Sequence, residues 1–277
     1  MLRIMLADLY RAAKGKVFWL TALFMAIFAA LTVFVFGMAP GILEIDQIET
    51  IITYDGQTVD VLAAPDFANF EITAAESVAI SADGMWMLAY VILAIAAVIA
   101  LTPFDVGAIK NELSLGASRS KLYLARWLLS ALITFVFMVF HTFIYFVFGL
   151  MGGGMGEWSS EFMSNFVWGF AAQTIFVLGY LSVAMLFIFA ARKESISIYS
   201  YAAFATIPPV VGSLLSMAWP DIVNTFAVFE LSLLTQTFAD HSEMYTYQIV
   251  RGLLVGVAYI LVPTALGLIL FKRADLK

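Results

Sequence analysis

The chain has 277 residues, 63% of them hydrophobic and 12% charged, with a mean hydropathy of +0.96; no soluble core of this length needs that much apolar surface. A formal net charge of −6 gives nucleic-acid binding nothing to rest on, and the lack of cysteine excludes disulfides, thiol chemistry and thiolate metal sites. A polytopic membrane protein is the class that remains.

Residues 1–16, MLRIMLADLYRAAKGK, place Leu2, Met5, Leu6 and Leu9 on one side of a helix and Arg3, Arg11 and Lys14 mostly on the other. That pattern predicts a short interfacial helix before the chain enters the bilayer. A spanning helix rises about 1.5 Å per residue and crosses roughly 30 Å of hydrocarbon, so about 20 apolar residues are required. The first such run is 17–38, too long for the core of a cleavable signal peptide. Segment 39–83 follows as an outer loop with nine acids between Glu44 and Asp83 and no base. Within it, Glu49 to Leu62 holds two alternating β-branched runs joined by Asp55-Gly56, which predicts a β-hairpin in a small extracellular subdomain. Its acidic surface suits either a cationic peptide or ion, or plain solvation.

The second span is 84–104, and the polar interruption 105–126 leads into the third, 127–150. His141, with Thr142 and Tyr145, forms the cluster at membrane depth that holds an imidazole, a candidate for the pathway because buried ionisable groups are costly there. An outer loop, 151–165, begins with a glycine-rich turn from Met151 to Gly156. The fourth span is 166–190, followed by the short loop 191–195 and the fifth span, 196–217. Pro208 and Pro209 remove backbone donors in that fifth span, as Pro263 does in the sixth, 250–271; these are hinge candidates or fixed packing geometry. Gly252, Gly256 and Gly267 favour close helix contact. In the outer loop 218–249, the apolar clusters Phe226 to Phe229 and Leu231 to Leu234 predict a helix at the outer interface. Residues 272–277 form the tail.

Loops rich in Lys and Arg stay on the cytoplasmic side. Thirteen of the fourteen bases lie in the N-terminal segment, the second-to-third loop, the fourth-to-fifth loop and the tail, and only Arg251 does not. Fifteen of the twenty acids fall on the other face. Six spans with both termini cytoplasmic satisfy this segregation.

In 105–126, Asp105 is placed to cap a helix from Val106 to Leu115 that Gly116 ends, with Val106, Ile109 and Leu113 on one face and Lys110, Glu112 and Ser114 elsewhere. Ser118 or Ser120 then restarts a helix into the third span. The residues themselves, Asp105-x-Gly107-x-x-Lys110-Asn111, then Leu113-Ser114-x-Gly116-x-Ser118-Arg119, then Tyr123 and Arg126, resemble the coupling loop of ABC-2 type transporter permeases. The opening LADLYRAAKGKVFWL and the closing FKRADLK are similar to the ends of those proteins. Arg126 stands where the family often has Lys.

The resemblance implies the permease subunit of an ABC exporter in a bacterial cytoplasmic membrane: an all-α polytopic protein of six spans. It would pair with a second copy or a related permease, and with separate ATP-binding subunits that carry ATP and Mg2+. It further implies that Asp105, Gly107, Lys110, Asn111, Glu112, Gly116, Arg119 and Lys121 contact or couple to that ATPase. The chain has no G-x-x-x-x-G-K-[ST] phosphate loop, so it is expected to bind no cofactor of its own. Membrane lipid is an expected partner and nucleic acid is not. An intramembrane enzyme would need a nucleophile and base, paired carboxylates or a metal cluster at depth, and the sequence offers none. The expected cargo is an amphiphilic or antimicrobial peptide. A drug or lipid-like cargo, or a non-transporting anchor or sensor subunit, are the alternatives.

Overall fold

A computed structural model describes residues 2–43, 51–54, 57–60, 72–105, 107–218, 229–239 and 246–274. In chain order the helices are α1 (Leu2–Lys14), α2 (Lys16–Leu43), α3 (Ala74–Asp83), α4 (Leu88–Ala96), α5 (Thr102–Asp105), α6 (Ala108–Ser114), α7 (Arg119–Gly153), α8 (Ser160–Ala191), α9 (Glu194–Ala218), α10 (Leu231–Thr237) and α11 (Thr246–Arg273). A 3-10 turn, Gly84–Met87, joins α3 to α4, and a π turn, Ala97–Leu101, joins α4 to α5. Strands β1 (Ile51–Tyr54) and β2 (Gln57–Asp60) pair antiparallel with Tyr54 opposite Gln57. The Asp55-Gly56 turn expected between them lies outside the described residues, as do most of the acidic loop, Val106, and the apolar residues 226–228.

Among the described residues, five helices are long and apolar enough to cross a membrane: Lys16–Val35, Ala74–Phe104, Arg119–Gly153, Ser160–Ala191 and Thr246–Arg273. This is the architecture of an all-α, multi-pass membrane protein. α9 occupies the expected fifth span and runs through Pro208 and Pro209, but it is not among these five.

Three boundaries differ from the sequence expectation. Residues 74–83, read as outer loop, are helical. Thr73 and Glu76 form a reciprocal capping box there, and the small face Ala74, Ala75, Ser77, Val78, Ser81 and Ala82 is buried. α7 runs through the first glycines of the supposed turn, which falls instead at Gly154 (φ 78°) and Gly156 (φ 72°). There the chain lies so close to α3 that a Cβ on Gly153 would sit 2.8 Å from the Ile72 carbonyl carbon. α8 starts at Ser160, capped by the Ser159 hydroxyl, rather than at 166. Hydropathy marks the apolar part of a helix, whereas caps and small-residue contacts decide where it ends.

α8 and the α3–α5 segment are the most enclosed of the spans, while α2 and α11 lie at the periphery. α11 packs along α8, and its glycines let it approach α8, α7 and the end of α10 closely. A Cβ on Gly252 would meet Phe238 at 2.7 Å, on Gly256 Phe176 at 2.8 Å, and on Gly267 the Tyr123 hydroxyl at 2.6 Å. Close approach is therefore what these glycines provide. The outer faces of α2, with Leu20, Phe24, Ile27 and Leu31, and of α11, with Leu254 and Leu261, remain exposed, as a lipid-facing surface requires. α10, capped by the Glu230 carboxylate, buries Leu231 and Leu234 against the bundle.

Candidate functional site

Contacts gather three of the base-bearing segments at one end of the bundle. Phe104 before the elbow, Phe189 of α8 and Phe271 of α11 form an edge-to-face aromatic group there, and Tyr123 of α7 joins it through Phe189.

The elbow at this end is shorter than expected. α6 begins at Ala108, and the residue at its N-cap is Gly107, left-handed at φ 69° with no side-chain cap; Asp105 ends the preceding helix instead. Asp105 is therefore not the cap, because the chain turns through a left-handed glycine two residues later. Gly116, at φ 89°, closes α6. The Gly116 N–H donates to Leu113 O (3.0 Å) and the Ala117 N–H to Glu112 O (3.2 Å), a Schellman ending. Ser118 then caps α7, its hydroxyl accepting from the Lys121 N–H at 3.4 Å. Ile109 is buried beneath α6, while Lys110, Asn111, Ser114, Leu115, Gly116 and Lys121 are exposed.

Two of the expected coupling residues make contacts inside the chain. Glu112 accepts from Arg126 Nη2 at 2.7 Å, and the Arg126 Nε donates to Asp8 Oδ2 of α1 at 3.3 Å. Arg126 is fully buried and Asp8 is 3% exposed, with Arg11 3.3 Å from the second carboxylate oxygen. Burial pushes the Asp8 carboxyl up from its ordinary value, against the opposing pull of Arg126 and Arg11. A single guanidinium thus ties α1, the elbow and the start of α7 together. Arg119 Nη1 donates to the carbonyls of Phe271 (3.2 Å), Lys272 (2.9 Å) and Ala274. It caps the last turn of α11, where a cation also offsets the negative end of the helix dipole.

Asp8 was not legible as a site residue. In α1 it shares the buried stripe with Ala12, whereas Leu2 and Leu6, on the apolar face seen in sequence, are exposed at 68% and 56%. The helix therefore presents its polar notch to the protein and its leucines away from it. An acid three and four residues from apolar neighbours on an interfacial helix was the available signal.

At the opposite end, the His141 imidazole is buried, with Nε2 3.3 Å from Ser81 O and its ring 4.8 Å from that of Tyr145. The two residues do come together, against the α3 helix. The Tyr145 hydroxyl is buried, with Thr32 of α2 as its polar neighbour. It lines an open cavity of about 380 Å³ between α2 and the α3 end, along with Phe28, Leu31, Thr32, Asp83 and Trp86. Gln173 of α8 bridges this region by donating to Ala82 O and Thr235 O, both at 2.8 Å. Pro208 and Pro263 lie on other helices and do not line it. Among the described residues no group of three His, Asp or Glu side chains is placed to hold a metal ion.

Comparison with protein-family models finds no match, and comparison with curated proteins finds none.

Proposed function

We propose that the chain is the membrane-spanning permease subunit of an ABC exporter, driven by a separate ATP-binding subunit and moving an amphiphilic peptide out of a bacterial cytoplasmic membrane. The observation that carries this reading is the elbow. A two-turn helix with exposed Lys110 and Asn111 stands between two left-handed glycines and is wired by Glu112 and Arg126 to α1 and α7. A lever of this kind moves as a unit: a partner pressing on α6 displaces a buried ion pair rather than a loose loop. On this reading α9 completes six spans, both termini face the cytoplasm and the acidic loop with β1 and β2 lies outside. Two permeases would make one transporter.

The division of labour among the resembling residues follows. Lys110, Asn111 and Lys121 are the groups left exposed for an ATPase surface. Gly107 and Gly116 set the shape of the lever, and Glu112 and Arg119 hold it to the bundle. The test is co-purification of the chain in detergent with its candidate ATPase, followed by ATP hydrolysis in nanodiscs with and without a cationic amphiphilic peptide. A stable complex whose hydrolysis responds to peptide is expected. Absence of any complex would refute the exporter and favour an anchor or sensor role.

A further inference from the structure

α1 has two faces, and the bundle accounts for one of them. Ile4 and Met5 pack against the main core, and Asp8 and Ala12 are buried in it. At about 100° per residue, Leu2, Leu6 and Leu9 lie on the far side; they are exposed, as is Tyr10 beside them at 63%. Lys14 continues the rim of that face, its ammonium 4.6 Å over the Tyr10 ring, a contact that leaves the charge in place. Lys16, also exposed, opens α2. Asp8 is the one acid in residues 1–43, and it is engaged inside by Arg11 and Arg126. The outward face is therefore apolar and basic. The junction to α2 sets its level in the membrane. The Gly15 N–H donates to Ala12 O at 3.0 Å, and Trp19 Nε1 reaches back across the junction to Ala13 O at 2.8 Å. Because the apolar span of α2 begins at Lys16, α1 lies where hydrocarbon meets head groups, the level that tryptophan and lysine favour.

We propose that this face of α1 binds the anionic surface of the bilayer, and that the binding holds the elbow in place. Leu2, Leu6 and Leu9 enter the acyl boundary while Lys14 and Lys16 meet lipid phosphates. Asp8 reaches Arg126, and through it Glu112, only while α1 is seated on α7. Lipid that binds the seated helix therefore stabilises the elbow by linkage. A zwitterionic surface buries the leucines but gives the lysines little net attraction, and a soluble anion does the reverse. The lipid contact rests on α1 alone; that the steadied elbow meets an ATPase rests on the permease reading.

The test uses the full chain, without any ATPase, in nanodiscs of phosphatidylcholine alone or with phosphatidylglycerol added. The chain has no cysteine, so a spin label on Leu6→Cys or Ala7→Cys stands alone. Collisions with oxygen, which enters hydrocarbon, and with a water-soluble nickel chelate report its depth. Leu6→Cys is expected to favour oxygen, and Ala7→Cys, exposed on the basic side of the helix, to favour nickel. Amide exchange at 108–117 reports the elbow. It is expected to slow in phosphatidylglycerol by about fivefold for each lysine at the surface, and Lys14→Gln should remove about one such factor. Asp8→Asn combined with Arg126→Met cuts the link: the Leu6→Cys label should keep its depth while exchange at 108–117 no longer responds to phosphatidylglycerol. If that double variant does not fold, Lys14→Gln at its exposed position still decides. Equal exchange in the two discs, or equal slowing by inorganic phosphate in phosphatidylcholine discs, would overturn the proposal. Shielding of Leu6→Cys from both reagents would overturn it too, placing a second copy of the chain on this face. Loss of the ATPase complex would overturn the permease reading and leave the lipid contact standing.

Discussion

Replacing Arg126 by Met keeps an unbranched apolar stem and removes the guanidinium charge that holds α1, α6 and α7 together. Glu112 is 23% exposed and regains water readily, so its loss is minor. Asp8 is the costly partner: its side chain is 2% exposed and keeps only Arg11, itself 39% exposed. Breaking a buried ion pair from one side costs about 3–5 kcal/mol. An escape route caps the penalty, because protonating a carboxyl of ordinary pKa about 3.9 at pH 7 costs about 4 kcal/mol. With Arg11 retaining part of the compensation, Arg126→Met is expected to destabilise by about 2–3 kcal/mol at pH 7. The sign of the pH dependence follows from the raised pKa of Asp8. The folded state holds the proton more tightly than the unfolded chain, so the contribution is full below about pH 4 and is lost as pH rises. Arg126→Met raises that pKa further, so its deficit should shrink between pH 7 and pH 5. Asp8→Asn combined with Arg126→Met should recover most of the loss and remove the pH dependence of the deficit. Denaturant unfolding of the detergent-solubilised chain at pH 5, 6 and 7 measures this. Equal destabilisation of the single and double variants, independent of pH, would refute the assignment of the loss to a buried unpaired carboxylate.

Gly107 and Gly116 have open space where a Cβ would go, so substitution there acts through the left-handed backbone and not through a clash. Gly116→Val should cost about 1–2 kcal/mol and, on the permease reading, should leave ATP hydrolysis intact while transport falls; unchanged transport would remove the lever from the mechanism. Arg119→Ala should fray the end of α11 by removing the donor to Phe271, Lys272 and Ala274, a loss of about 1 kcal/mol. Amide exchange at 270–274 is the readout, and unchanged protection would show that the cap is not made in the membrane.

The membrane class and the presence of five long apolar helices were legible in the sequence because they depend on composition over windows of about 20 residues. Gly116 as a helix stop and Ser118 as a cap were equally local, since each serves backbone groups within five residues. The close packing expected of Gly252, Gly256 and Gly267 follows from the lack of a side chain. The helical start of the second span at Ala74 was hidden, because a run of Ala and Ser without strong hydropathy is stabilised by burial against α7, more than 60 residues away.

Which charges meet was decided only by the tertiary structure. Asp8 and Arg126 are separated by 118 residues, Arg119 and the end of α11 by more than 150. Charge in a sequence tells which side of the membrane a loop prefers, a property each loop holds alone. Pairing is a property of two chain segments brought to within about 3 Å, and it makes Glu112 and Arg119, expected as coupling residues, bonds that also hold the elbow to the bundle. The cavity at Tyr145 has the same origin. Its walls come from α2, α3 and α7, each apolar for reasons of its own, and only their packing brings Tyr145 and Asp83 into one lining.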